Sequence, residues 1–154
     1  MQMNYLTYFL APIIAYLGLL LGIILIKLAP EEQKPGKKYF ILLKKILFFL
    51  IIAFLLFSYR INYIFSAILL LFIIILMSTG KLNLSKSIIV YILFGFTLYF
   101  SYKIPDLFII ESILVFLYGI PNASLMLKKN NYYDILVKNL WFFAPIIIPP
   151  LLSI

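Results

Sequence analysis

The chain has 154 residues, 66% of them hydrophobic and 12% charged, and carries a net charge of +8. Soluble domains run at roughly 45–50% apolar and about 25% charged, and a chain this short cannot hide such an excess by compactness alone; a mean hydropathy of +1.15 points to lipid as the solvent. Cysteine and histidine are both absent, which removes disulfides, thiolate nucleophiles and imidazole metal ligands, and the carboxylates are limited to Glu31, Glu32, Asp106, Glu111 and Asp134.

The expected architecture is all-α, a polytopic membrane helix bundle of one domain. Crossing ~30 Å of hydrocarbon takes roughly 20 mostly apolar residues. On that measure spans fall near 5–28, 39–59, 61–79, 87–102, 107–127 and 135–154. The first has no basic residue ahead of it and no small-residue cleavage site, so it is expected to remain as a span and not to be removed as a signal peptide. In the second, Lys44 and Lys45 follow only a few apolar residues, and their stems are expected to snorkel toward headgroups. Spans two and three are divided by "SYRIN", Ser58 to Asn62. A single helix from Ile46 to Thr79 would measure ~51 Å at ~1.5 Å per residue, so a tight hairpin at Arg60 is expected. The sixth span is interrupted by Pro145, Pro149 and Pro150, which a membrane helix tolerates when neighbours satisfy the freed carbonyls.

Alternating the loops puts Lys27, Lys34, Lys37, Lys38, Lys44, Lys45, Lys81, Lys86, Lys128, Lys129 and Lys138 on one side, and Arg60 and Lys103 on the other. Basic residues stay in the cytoplasm, so both termini are expected outside. The first cytoplasmic loop, "LAPEEQKPGKKYF", carries a Pro35-Gly36 pair that reads as a turn. Pro30 with Glu31 and Glu32 suits the start of a short helical turn. Lys37, Lys38, Lys44 and Lys45 repeat at seven-residue spacing along one helical face. With Lys34 they are read as contacts to anionic headgroups on the cytoplasmic side, or to a partner. Nucleic acid is a poor match, because the basic residues lie along a membrane boundary and not in a soluble basic domain.

In the first span Ala11, Ala15, Gly18 and Gly22 share a face, including a GxxxG pair that lets helices approach closely in lipid. Packing on another helix of the same chain is the plain reading, and association with a second copy the alternative. Pro12 lies beside this stripe, where it is expected to kink the helix.

The fifth span, "LFIIESILVFLYGIPNASLML", carries Glu111, Tyr118 and Asn122 at i, i+7 and i+11, again one face. Its Gly119-Ile120-Pro121 step is expected to bend or open the helix. Glu111 sits about one turn inside the outer boundary, near Arg60, Lys103 and Asp106. Two roles compete for it: an ion-binding carboxylate with Tyr118 and Asn122 as hydrogen-bonding companions, or a structural partner of Arg60. The structural pair is the expected one. Tyr99, Phe100, Tyr102, Tyr132, Tyr133 and Trp141 read as interfacial aromatic belts.

No nucleotide loop, zinc motif or nucleophile elbow occurs, so no cofactor or metal is expected and little catalytic machinery is available. "FLAPII" and "FFAPII", at Phe9 and Phe142, pair span one with span six and do not form the three-plus-three inverted repeat of transporters. The "APEEQKPGKKYF" loop behind a glycine-containing first span resembles a stretch of small, uncharacterised multi-pass membrane proteins of archaea. The resemblance covers the first third of the chain, implies a prokaryotic cell membrane and brings no activity with it.

The expectation is thus an accessory, assembly or structural membrane subunit that meets lipid and either another membrane protein or a second copy. The alternative is a small permease with a site around Glu111, Tyr118 and Asn122, with Arg60 nearby. A lipid-modifying enzyme comes third.

Overall fold

A computed structural model describes residues 5–81, 84, 87–126 and 131–147. Every regular element among them is helical: α1 (Tyr5–Leu28), α2 (Gln33–Ser58), α3 (Tyr63–Ser78), α4 (Ser87–Ser101), α5 (Pro105–Met126) and α6 (Tyr132–Asn139). Short 3-10 turns cover Pro30–Glu32 before α2 and Leu140–Phe143 after α6.

The breaks have local causes. Pro30 opens the first 3-10 turn with Glu31 and Glu32 behind it, as the residue types suggest. The Pro35-Gly36 pair makes no turn, however, and lies inside the first turn of α2. The first four N–H groups of a helix have no intrahelical acceptor, so a proline there loses no bond, and α2 starts well before the expected 39. At "SYRIN" the chain does reverse. Arg60 takes φ 49°, and the Asn62 side chain caps α3 by accepting from Ile64 N at 3.0 Å. α3 ends at Ser78, and Gly80 two residues on, with φ 71°, is the left-handed stop that glycine adopts without strain. Helices α1 and α5 run unbroken through Pro12 and Pro121.

The sixth segment departs from the expected single helix. α6 ends at Asn139 and tightens into the 3-10 turn Leu140–Phe143. Pro145 has no N–H and its ring crowds the carbonyl four residues back, so an α-helix cannot pass residue 141 unchanged. The rest of that expected span, 148–154, lies outside the described residues, as does residue 127.

Successive helices alternate in direction. Tyr8 stacks on Phe108, while Gly18 meets Phe116 and Gly119, and Gly22 meets Ile120 and Ala123, so α1 and α5 run parallel. Lys44 of α2 reaches Asn122 and the Leu84 carbonyl; Phe48 meets Phe94, which in turn meets Tyr118. Helices α2 and α4 are therefore parallel to each other and opposed to α5. Lys45 bonds Met77 O, and Ala53 and Leu56 pack on Leu70, which opposes α3 to α2. The last segment runs against α1. Lys27 sits over the Tyr132 ring, Tyr16 bonds Leu136 O, and Tyr8 bonds Ile146 O. One end of the bundle thus gathers Lys27, Lys44 and Lys45, and the other Tyr8, Tyr59, Tyr102 and Phe108.

Helix α5 is the axis, packed by α1, α2 and α4. The closest approach is to α1. A Cβ on Gly119 would fall 2.6 Å from the Gly18 carbonyl carbon and the Leu19 nitrogen, and one on Gly22 would fall 2.5 Å from Ile120 O. Only glycine permits these backbones to touch, the use of small residues expected in lipid. Ala15 is fully buried in the same stripe and Ala11 half-buried. Gly95 makes a similar contact with Phe142 O, which seats the last segment on α4.

The surface is inverted relative to a water-soluble protein. Ile64 is 72% exposed and Phe65 58%, with Leu6, Ile68, Phe72 and Ile89 in the same state. Glu111, Asn122 and Asn139 are 0% exposed. Soluble monomers rarely show apolar patches of this extent, whereas lipid tails match them. Helices Tyr8–Leu28, Pro30–Ser58 and Pro105–Met126 are long and apolar enough to cross a membrane. Helices α3 and α4 are apolar but shorter, at 16 and 15 residues, or roughly 22–24 Å at ~1.5 Å per residue.

Candidate functional site: a polar column beside α5

Glu111, Tyr118 and Asn122 are all 0% exposed, so the spacing that puts them on one face also puts that face inside. They form a column, since eleven residues at ~1.5 Å each separate Glu111 from Asn122 by about 16 Å along the axis.

The Asn122 end is a closed hydrogen-bond network. Lys44 Nζ donates to Asn122 Oδ1 at 2.6 Å and to Leu84 O at 2.7 Å. Asn122 Nδ2 donates to Ser87 Oγ at 2.8 Å, and Ser87 Oγ donates to Asn139 Oδ1 at 2.8 Å. Asn139 Nδ2 completes the chain on Ile135 O at 2.6 Å. Four helices, α2, α5, α4 and α6, are joined by side chains that are each at most 5% exposed. A buried polar group is tolerable only when its partners are present, and here they are.

Lys44 is therefore not the headgroup contact expected of it. Helical side chains lean toward the N-terminus of their own helix, so its stem does run back toward the lysine-rich end. It lies on the face of Leu47, Phe48 and Ile51, which points at α5, and so it snorkels into the protein. Its Nζ also lies 5.5 Å from the Tyr118 ring centroid, within cation–π range. Lys45, one residue on, is half-buried and donates to Met77 O at 3.0 Å. That binds a cation to the C-terminal carbonyls of α3, where the helix dipole favours it. Lys34, Lys37 and Lys38 are exposed.

Toward the other end the column loses its partners. The hydroxyls of Tyr118 and Tyr91 and both carboxylate oxygens of Glu111 are buried with no hydrogen-bond partner among the described residues. Tyr91 and Tyr118 face each other edge-on, with centroids 6.2 Å apart. The expected Glu111–Arg60 pair does not form. Arg60 is exposed on the α2–α3 turn, whereas Glu111 points inward from α5. The ion pair among the described residues is Lys138–Asp134, one turn apart on α6 at 3.9 Å and half-exposed, a geometry worth little in stability.

Lys44 and Glu111 are the charged side chains among the buried described residues. Ser87, Tyr91 and Asn139 were not marked by the sequence as members of this site. Ser87 and Asn139 sit at the edges of apolar runs, where polar residues read as loop, and Tyr91 reads as core. The signal was the i, i+4 spacing of Ser87 and Tyr91, which gives α4 a polar stripe facing α5. Among the described residues no group of His, Cys, Asp and Glu is arranged to hold a metal. Comparison with protein-family models, curated proteins and solved structures returned no match to this chain.

Proposed function

We propose that the chain is a multi-pass cell-membrane protein of the small-permease class. It crosses six times, with the lysine-rich end at the cytoplasm and both termini outside. Its site is the column from Glu111 through Tyr118 to Asn122, and the bound species is a small cation or a proton at Glu111. One observation carries this reading: Glu111 is 0% exposed and neither carboxylate oxygen has a partner among the described residues. An ionisable group in such a place is costly unless something binds there. The structural role expected from sequence needed Arg60 as its partner, and that contact is absent. Alternating helix directions and the lysine asymmetry support the orientation, and the exposure of Lys34, Lys37 and Lys38 supports contact with anionic headgroups, worth about 1 kcal/mol each.

The test is flux in reconstituted vesicles, with sodium, potassium and protons offered in turn. Wild type moves one of them, and Glu111→Gln does not while keeping its helical content and detergent stability. Wild-type vesicles no leakier than empty ones to all three would overturn the reading.

A second reading, an accessory or assembly subunit, has its own support. Helix α3 packs chiefly on α2 and turns Ile64, Phe65, Ile68, Leu71 and Phe72 outward, a face open to lipid or to a neighbouring membrane protein. It predicts a protein that copurifies in mild detergent and is lost when this face is changed.

A further inference from the structure

We propose that the ion is the proton, and that Tyr118, Tyr91 and Lys44 carry it between Glu111 and the lysine-rich end of the bundle. This rests on the permease reading and names its substrate. The column holds one buried acid and one buried amine at its two ends. Between them stand two buried tyrosines whose hydroxyls have no partner within hydrogen-bond geometry among the described residues, that of Tyr91 lying nearest Asn122. A buried hydroxyl without a partner destabilises a fold, and phenylalanine would fill either position without that penalty. Two such tyrosines with ring centroids 6.2 Å apart, Tyr118 on the helix face of Glu111 and its ring 5.5 Å from Lys44 Nζ, are what a relay needs and a packing core does not.

No other acid or base intervenes among the described residues. The elements against this part of α5 contribute Lys44 from α2, whereas α1 and α4 contribute tyrosines, Tyr8, Tyr16 and Tyr91, and no buried charged side chain. A metal cation would want several oxygens at one point, but the acceptors here are strung out in single file. Glu111 and Tyr118 are two helical turns apart, about 10 Å along the axis. The tyrosine leans toward the helix N-terminus, where Glu111 lies, so its hydroxyl shortens that interval.

The transfer balances without any further reactant. The O–H bond of the Glu111 carboxylic acid breaks, its proton passes to the Tyr118 oxygen as that hydroxyl gives its own proton to the Tyr91 oxygen, and the Tyr91 hydroxyl gives up its own in turn. The released proton forms a new N–H bond on the neutral Lys44 amine. The Lys44 ammonium then releases a proton to water at the lysine-rich end, and the Glu111 carboxylate takes one from the other side. Net, one proton crosses and each group returns to its starting state. Lys44 already shares hydrogens with Leu84 O and Asn122 Oδ1, so it receives the proton in a fixed geometry.

The experiment uses the full chain in vesicles holding a pH-sensitive dye, with a potassium diffusion potential as the driving force. Wild type shifts the internal pH; Tyr118→Phe reduces the shift to that of empty vesicles, while its thermal unfolding is unchanged or raised. Lys44→Arg keeps a charge and its donors but does not release a proton at accessible pH, and it loses the flux as well. If Lys44→Arg fails to fold, Tyr118→Phe decides the matter alone. Wild-type proton flux through Tyr118→Phe would overturn the relay. So would a wild type that moves sodium or potassium but not protons; that result, with Glu111→Gln inactive, leaves the permease reading standing. Vesicles that move no ion at all defeat both.

Discussion

The two ends of the column along α5 differ in how their polar groups are satisfied. At Lys44 each buried donor or acceptor meets another, and the network ties four helices together. At Glu111 and the tyrosine hydroxyls nothing among the described residues answers. The same low dielectric strengthens the first arrangement and penalises the second. Polar residues inside one bundle therefore do two kinds of work: the bonded end holds the fold, and the unbonded end is kept in spite of it. Substitutions should separate the two ends.

The largest effect belongs to the bonded end. Lys44→Ala leaves Leu84 O and Asn122 Oδ1 buried without a donor and should lower stability by about 3 kcal/mol, read as an earlier unfolding transition in detergent. Gly119→Ala comes next. Its Cβ would meet the α1 backbone at 2.6 Å, with no flexible side chain to move aside, so separating α1 from α5 should cost about 2 kcal/mol. Asn139→Ala removes the last link from Ser87 and should cost about 1 kcal/mol. The smallest effect belongs to the unbonded end, where Glu111→Gln and Tyr118→Phe should each change stability by less than about 0.5 kcal/mol or raise it. A large loss at Glu111 with a small one at Lys44 would reverse the assignment.

Much of this was legible in the sequence. Long apolar runs allow few alternatives to membrane helices. The hairpin at Arg60 followed from a length argument, and the small-residue face of α1 and the shared face of Glu111, Tyr118 and Asn122 followed from helical spacing. The misreadings came from what a helix packs against. Lys44, Leu47, Phe48 and Ile51 lie at i, i+3, i+4 and i+7, a buried face, but lysine's usual preference for water outweighed that pattern. Glu111 and Arg60 sit near one end of the bundle, yet their side chains point in different directions. Pro35-Gly36 failed as a turn because its place in the first helical turn makes proline harmless. The network through Ser87 and Asn139 joins residues 52 apart in the chain, a separation that no local pattern records.

The central claim is that Glu111 lies in the interior of a membrane-embedded bundle, and carbodiimide labelling of native membranes, read residue by residue by mass spectrometry, tests it most directly. The account predicts that a lipid-soluble carbodiimide modifies Glu111, while a water-soluble one modifies the exposed Glu31 and Glu32 and spares Glu111. Modification of Glu111 by the water-soluble reagent at the pace of Glu31 and Glu32 would contradict it.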